Sequence, residues 1–160
     1  MEAIHHPRPH RLGTAVYADA GNTFHLVLNA LPGAGRFGAH ASQVIWELLM
    51  NERERESVAL HAACLMPDHL HVVVSPRTVS ILRWVQGFKS FSTRQVAGEA
   101  RLRAIWQPSF YDRLVRDVED FANVVRYVVS NPAVAGVTNA ESWPWVWVAE
   151  EHGWVASRTC

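Results

Sequence analysis

Two periods of apolar residues divide the chain. Residues 23–31 are apolar with few polar interruptions and predict a strand. Residues 31–40 hold Pro32, Gly33, Gly35 and Gly38 and predict a loop. Ser42 then caps a helix to about Glu54, with Val44, Ile45, Leu48 and Leu49 at helical spacing. Residues 51–56 alternate acid and base, as a solvated helix end does. Residues 58–65 and 69–75 are strands separated by Pro67–Asp68. A helix over about 79–97 sets Ile81, Trp84, Val85 and Phe88 on one face and Arg83, Gln86, Ser90 and Arg94 on the other. Asp117 caps another helix, with Phe121, Val124, Val125 and Val128 as its core stripe and acids Glu119 and Asp120 in its first turn. Pro132 disfavours helical geometry at Asn131, so this helix is expected to end there.

Residues 101–114 support two readings. Arg101, Arg103, Trp106, Gln107, Phe110, Tyr111 and Arg113 interleave cations with rings, which suits single-stranded DNA. A partly exposed fourth strand has the same pattern. The polar stripe of the helix over 79–97 is equally open between a nucleic-acid backbone and plain solvent. The aromatic tail Trp143–Pro144–Trp145–Val146–Trp147 is expected to pack back on the body. The element order predicts an α+β domain: one antiparallel sheet of four or five strands, strand 69–75 central, helices mainly on one face.

Composition narrows the classes. The 160 residues, 49% of them hydrophobic, suffice for one core, so residues 1–160 are expected to form one domain with a flexible arm over 1–20 and a packed tail over 138–160. The 15 basic and 15 acidic residues cancel, so nucleic-acid contacts would come from local clusters. There is no apolar run of the ~18 residues that a membrane helix needs. The His/Pro/Arg-rich start carries no secretory pattern, and Cys64 and Cys160 are expected to be free thiols in a reducing, cytoplasmic and nucleoid-associated setting.

Candidate chemistry centres on Met66–Pro67–Asp68–His69–Leu70–His71. Side chains alternate along a strand, so His69 and His71 share a face, about 7 Å apart along the backbone. They can be two arms of a metal site, a phosphate clamp, or two histidines on a half-polar face. Tyr127 and Asn131 lie four residues apart, on one flank of a helix.

Four blocks occur in order: Met66-Pro-Asp-His-Leu-His71, Trp106-Gln-Pro-Ser-Phe-Tyr-Asp-Arg113, Tyr127-Val-Val-Ser-Asn-Pro132 with Ala135-Gly136-Val137, and Trp143-Pro-Trp145. Over roughly residues 20–147 the chain resembles the single-tyrosine HUH transposases of the IS200-like superfamily, and their REP-associated branch more than the insertion-sequence branch. The resemblance implies a ferredoxin-like antiparallel sheet with the histidines on a central strand and the tyrosine on a facing helix. It implies Tyr127 as nucleophile, His69, His71 and Asn131 as metal ligands, and single-stranded or hairpin DNA as partner of a monomer or homodimer. Arg83, Lys89, Arg94, Arg101, Arg103, Trp106 and Arg113 are the expected DNA contacts.

The chemistry is consistent with that implication. A tyrosine hydroxyl ionises near pH ~10 and needs help as a nucleophile at neutral pH. Two imidazoles alone suit a late transition metal, whereas an amide oxygen and phosphate oxygens shift the choice toward Mg²⁺ or Mn²⁺. The expected activity is cleavage and rejoining of hairpin DNA through a 5′-phosphotyrosine. The alternatives are a non-cleaving hairpin-binding relative and a small metal hydrolase using His61, His69 and His71. The hydrolase needs an acid, and Asp68 on a regular strand would face away from both histidines.

Overall fold

The sheet is built on two strands that are buried on both faces. In β2 (Val58–Leu65) and β3 (His69–Pro76) nearly every position is buried, because helices cover both sides. The computed structural model describes residues 12–32, 36–98 and 104–153. β1 (Phe24–Asn29), β4 (Tyr111–Leu114) and β5 (Val146–Val148) complete a five-stranded sheet of order β4-β1-β3-β2-β5, antiparallel at every pairing. β3 is central, as its sequence predicts.

Helices α1 (Ala39–Arg55) and α2 (Ile81–Ala97) pack on one face, over Phe24, Leu26, Leu28, Leu70, Val72 and Val74. Helix α3 (Val118–Val134) packs alone on the other, over Ala62, Cys64 and Val73. Burying each of the Phe, Leu and Val side chains stabilises the fold by about 1.5–3 kcal/mol before chain entropy is counted. Two helices on one face and one on the other fit the α+β expectation. The single helix on the second face leaves part of that face free for chemistry.

β2 holds one extra residue. Its register against β3 shifts between Leu60 and Ala62, so His61 is a bulge. The bulge inverts the alternation: Val58 and Leu60 face α1 and α2 before it, Ala63 and Leu65 after it. His61 turns to the α3 side, where its ring meets Phe121 edge-on and its nitrogens lie 3.1 Å from His152 Nε2 and 2.9 Å from Ser75 Oγ.

Three boundaries differ from expectation. Ser42 is not a cap: α1 starts a turn earlier, at Ala39, after extended Gly38, whose carbonyl accepts from the Ser42 N–H at 2.9 Å. Helix α3 does not end at Asn131 but runs through Pro132 to Val134. Its end is closed by a Schellman motif, in which Gly136 (φ +70°) donates to Ala133 O and Val137 donates to Pro132 O. Those bonds and the burial of Pro132 offset the one helical N–H that proline lacks. Residues 12–20 are also not all arm, since Tyr17 is fully buried, stacks on Phe24 and donates to Asp112 Oδ2 at 2.6 Å.

The other caps match. Asp117 accepts from the Asp120 N–H at 2.8 Å and Ser80 from the Arg83 N–H at 3.4 Å. The aromatic tail packs back: Trp143 Nε1 donates to Leu65 O at 2.8 Å, and β5 adds to the β2 edge. Cys64 is a buried free thiol, its pKa pushed up to about 12 by burial. The N-terminal residues 1–11, Arg101, Arg103 and Cys160 lie outside the described residues. Among the described residues no helix is long and apolar enough to cross a membrane.

Candidate active site

The site lies on the α3 face, where the registers bring β1 and β3 together. Val27 pairs with His71 and Asn29 with His69, while His25 pairs with Val73 and so stands diagonal to His71. His69, the first residue of β3, is half-buried, and His71 is 4% exposed. Their rings converge, and the two Nε2 atoms lie 3.1 Å apart.

Each ring is held from behind. His69 Nδ1 lies 2.6 Å from Asp68 Oδ1, so the ring N–H donates to the carboxylate. Asp68 therefore does not face away: it belongs to the turn before β3, where strand alternation does not apply. His71 Nδ1 lies 3.0 Å from His25 Nε2, with the ring centroids 5.2 Å apart and the ring planes 23° from parallel. Burial, then the neighbouring His69 and His25, lower the His71 pKa to about 2. Burial, then the Arg113 charge, lower that of His25 to about 4. Both imidazoles are neutral at physiological pH.

From α3, Tyr127 reaches across this pair. Its ring meets His71 edge-on at 5.6 Å and His25 at 5.9 Å, and the residue remains 47% exposed. One turn on, Asn131 is 6% exposed and lines the same cleft. That cleft, about 830 Å³, is walled by Asn29, His69, His71, Tyr111, Tyr127 and Asn131. Tyr111, from edge strand β4, is also exposed there. A second cleft of about 590 Å³ lies beyond Tyr127, with Arg113 and Arg116 in its wall. Asp120 ties that wall to α3: Oδ1 accepts from Arg113 Nη2 at 2.6 Å and Oδ2 from the Arg116 N–H at 2.9 Å. The Arg116 N–H and then the Arg113 guanidinium lower the Asp120 pKa to about 2.

The structure thus gathers Tyr127, His69, His71 and Asn131 in one cleft and scatters the expected DNA contacts. Arg83 and Arg94 are exposed on α2, on the opposite face. Arg113 flanks the site. Trp106 is only 3% exposed, with Nε1 donating to Ser92 Oγ at 2.9 Å, so its ring is core and not a base platform. Lys89 turns inward, its Nζ donating to Gln107 O and Ser109 O at 2.7 Å each, and burial lowers its pKa to about 8. Both residues pin the segment before β4 onto α2. His61 sits at the other end of the β2–β3 pair, beside Ser75, about 13 Å along the strand from His71. It therefore cannot join His69 and His71 in a hydrolase site.

Sequence reasoning missed His25. The alternation over Phe24–Asn29 does place His25, Val27 and Asn29 on one face, and a histidine on an otherwise apolar strand is the available signal.

The sequence profile of the family described as "Transposase IS200 like" matches residues 21–131, which include β1 through β4 and α3 as far as Asn131. The REP-associated tyrosine transposase of Escherichia coli K12 is 23% identical over 137 residues, covering 80% of this chain and 77% of that one. A Haemophilus influenzae protein named for the same REP-associated group is 30% identical over 97 residues, and the alignment spans 52% of this chain and only 55% of that relative. A REP-associated tyrosine transposase solved bound to a REP hairpin shares the fold, with TM-score 0.63 and 21% identity over 81% of this chain and 78% of that one. The profile covers more than half of the chain, and the chain belongs to the IS200-like transposase family, with a likeness to its REP-associated tyrosine transposases.

Proposed function

We propose that this protein cleaves and rejoins single-stranded hairpin DNA, with Tyr127 as nucleophile and a divalent cation, Mg²⁺ or Mn²⁺, held by His69, His71 and Asn131. The observation that carries the proposal is the 3.1 Å between the two Nε2 atoms, with Tyr127 and Asn131 lining the same cleft. Two nitrogens each about 2.1 Å from one ion and at right angles are about 3.0 Å apart, so the pair fits two adjacent ligands. Among the described residues no three His, Cys, Asp or Glu side chains are grouped so that they could hold a metal ion, so a third protein ligand would be the Asn131 amide oxygen. The related solved structure holds a REP hairpin, which supports hairpin DNA as the substrate class.

A bound cation would supply Lewis-acid polarisation of the scissile phosphate. The protein's own residues do the rest. The Tyr127 oxygen attacks phosphorus in line and loses its proton. The bond from phosphorus to the 3′ oxygen breaks, leaving a 3′-hydroxyl and a 5′-phosphotyrosine. Attack by another 3′-hydroxyl reverses the step and releases Tyr127, so strand joining needs no external energy source. Arg83, Arg94 and Arg113 are the proposed phosphate contacts among the described residues, and Arg101 and Arg103 remain proposed contacts beyond them.

Incubating the protein with labelled hairpin oligonucleotides and Mn²⁺ tests this. The expected result is a shortened strand and a covalent adduct on a denaturing gel, both lost with chelator. Hairpin binding with neither product would instead identify a non-cleaving hairpin-binding protein.

A further inference from the structure

We infer that His25 is a positioning residue for the metal centre, fixing the tautomer of His71 so that its Nε2 lone pair faces the cleft. The inference rests on the function proposed above. A neutral imidazole carries one proton on one of two nitrogens. If both Nε2 atoms are to bind a cation, the protons of His69 and His71 must sit on Nδ1 and need acceptors.

The two histidines meet that need differently. His69 donates to the Asp68 carboxylate in the exposed turn. His71 is buried in the sheet, and its Nδ1 faces His25 Nε2 at 3.0 Å. His25 accepts there only if its own proton is on Nδ1, so one tautomer choice propagates across β1 and β3. The diagonal register and the ring planes, only 23° from parallel, hold the geometry. His25 reaches the cation only through His71 and is not itself a ligand. Without it, a buried Nδ1–H loses its acceptor, and His71 is driven toward the Nε2–H tautomer, which cannot bind metal.

The test measures Mn²⁺ affinity of the full-length, DNA-free protein by electron paramagnetic resonance, with folding checked by circular dichroism. His25→Phe keeps the ring but offers no acceptor, and should weaken Mn²⁺ binding about 10- to 100-fold. His25→Gln offers a side-chain oxygen to the same hydrogen and should keep affinity within a few-fold of wild type. Wild-type affinity in folded His25→Phe, or equal losses in both variants, would overturn the positioning role. If His71→Ala binds Mn²⁺ as wild type does, the metal centre itself is wrong and His25's role falls with it. Imidazole nitrogen shifts of the wild-type protein loaded with diamagnetic Zn²⁺ give a readout needing no variant. His71 protonated at Nδ1 and His25 bare at Nε2 is the expected pattern, and His25 protonated at Nε2 overturns the inference.

Discussion

The ring of Tyr127 meets the ring of His71 edge-on, 5.6 Å between centroids, although one comes from α3 and the other from the centre of the sheet. Val124, Val125 and Val128 hold α3 against Val73 and Cys64, so the helix stripe that builds the second core also sets that distance. Tyr127 lies beside the stripe and remains half in solvent.

Tyr127→Phe should therefore keep hairpin binding and lose all strand cleavage and covalent adduct. The ring packing is retained, and at this exposure stability should change by less than about 0.5 kcal/mol. Gel shift, cleavage assay and thermal melt on one preparation check all three.

The two histidines should differ in structural cost. Either alanine variant removes a proposed metal ligand and should abolish cleavage, as chelation of wild type should. His69 is half-buried, and its loss should cost under about 1 kcal/mol, whereas buried His71→Ala also strands His25 and should cost about 1–3 kcal/mol. Urea denaturation gives the difference. Wild-type cleavage by either variant would remove the metal role.

DNA binding should weaken with salt despite zero net charge, because the proposed contacts are local arginines. Arg94→Gln should flatten the slope of log affinity against log salt by about one. Lys89→Gln should leave the slope unchanged and lower the melting temperature, because its ammonium is committed to Gln107 O and Ser109 O.

His61 gives a pH dependence far from the cleft. Burial, then the neighbouring His152, lower its pKa from 6.5 to about 4, with Arg77 acting in the same direction and Glu151 against it. The unfolded chain thus binds the proton more readily, and the stabilising contribution is complete above pH 6.5 and lost as pH falls toward 4. From pH 7 to 5 the loss is about 2 kcal/mol. A His61→Gln variant should lose less stability than wild type over that interval, measured by denaturation with chelator present. Equal losses would contradict the assignment.

Much of this was legible in the chain because local signals and tertiary demands agree. The apolar runs at 58–65 and 69–75, the Asp117 cap and the His-Leu-His alternation each specify their element without help from distant residues. That Tyr127 and Asn131 share one helix flank follows from helical spacing, whereas their roles are what the family resemblance implies. What was not legible depends on contacts between segments. The His61 bulge has no Gly or Pro to mark it. Continuation of α3 past Pro132 depends on packing and on Gly136, against the local preference of proline. Asp68 was misread because turn geometry, not strand alternation, aims its carboxylate. Trp106 and Lys89 have the composition of DNA contacts, but Ser92 Oγ and two loop carbonyls draw them inward. His25 acquires its meaning only from the register that sets it beside His71.

Tyr111 is exposed in the same cleft as Tyr127 and is the rival nucleophile. The direct test is to trap the covalent adduct on a hairpin oligonucleotide with Mn²⁺, digest it with trypsin and sequence the DNA-linked peptide by mass spectrometry. The account predicts the nucleotide remnant on Tyr127 in the peptide that follows Arg126. A remnant on Tyr111, with Tyr127 unmodified, would contradict it.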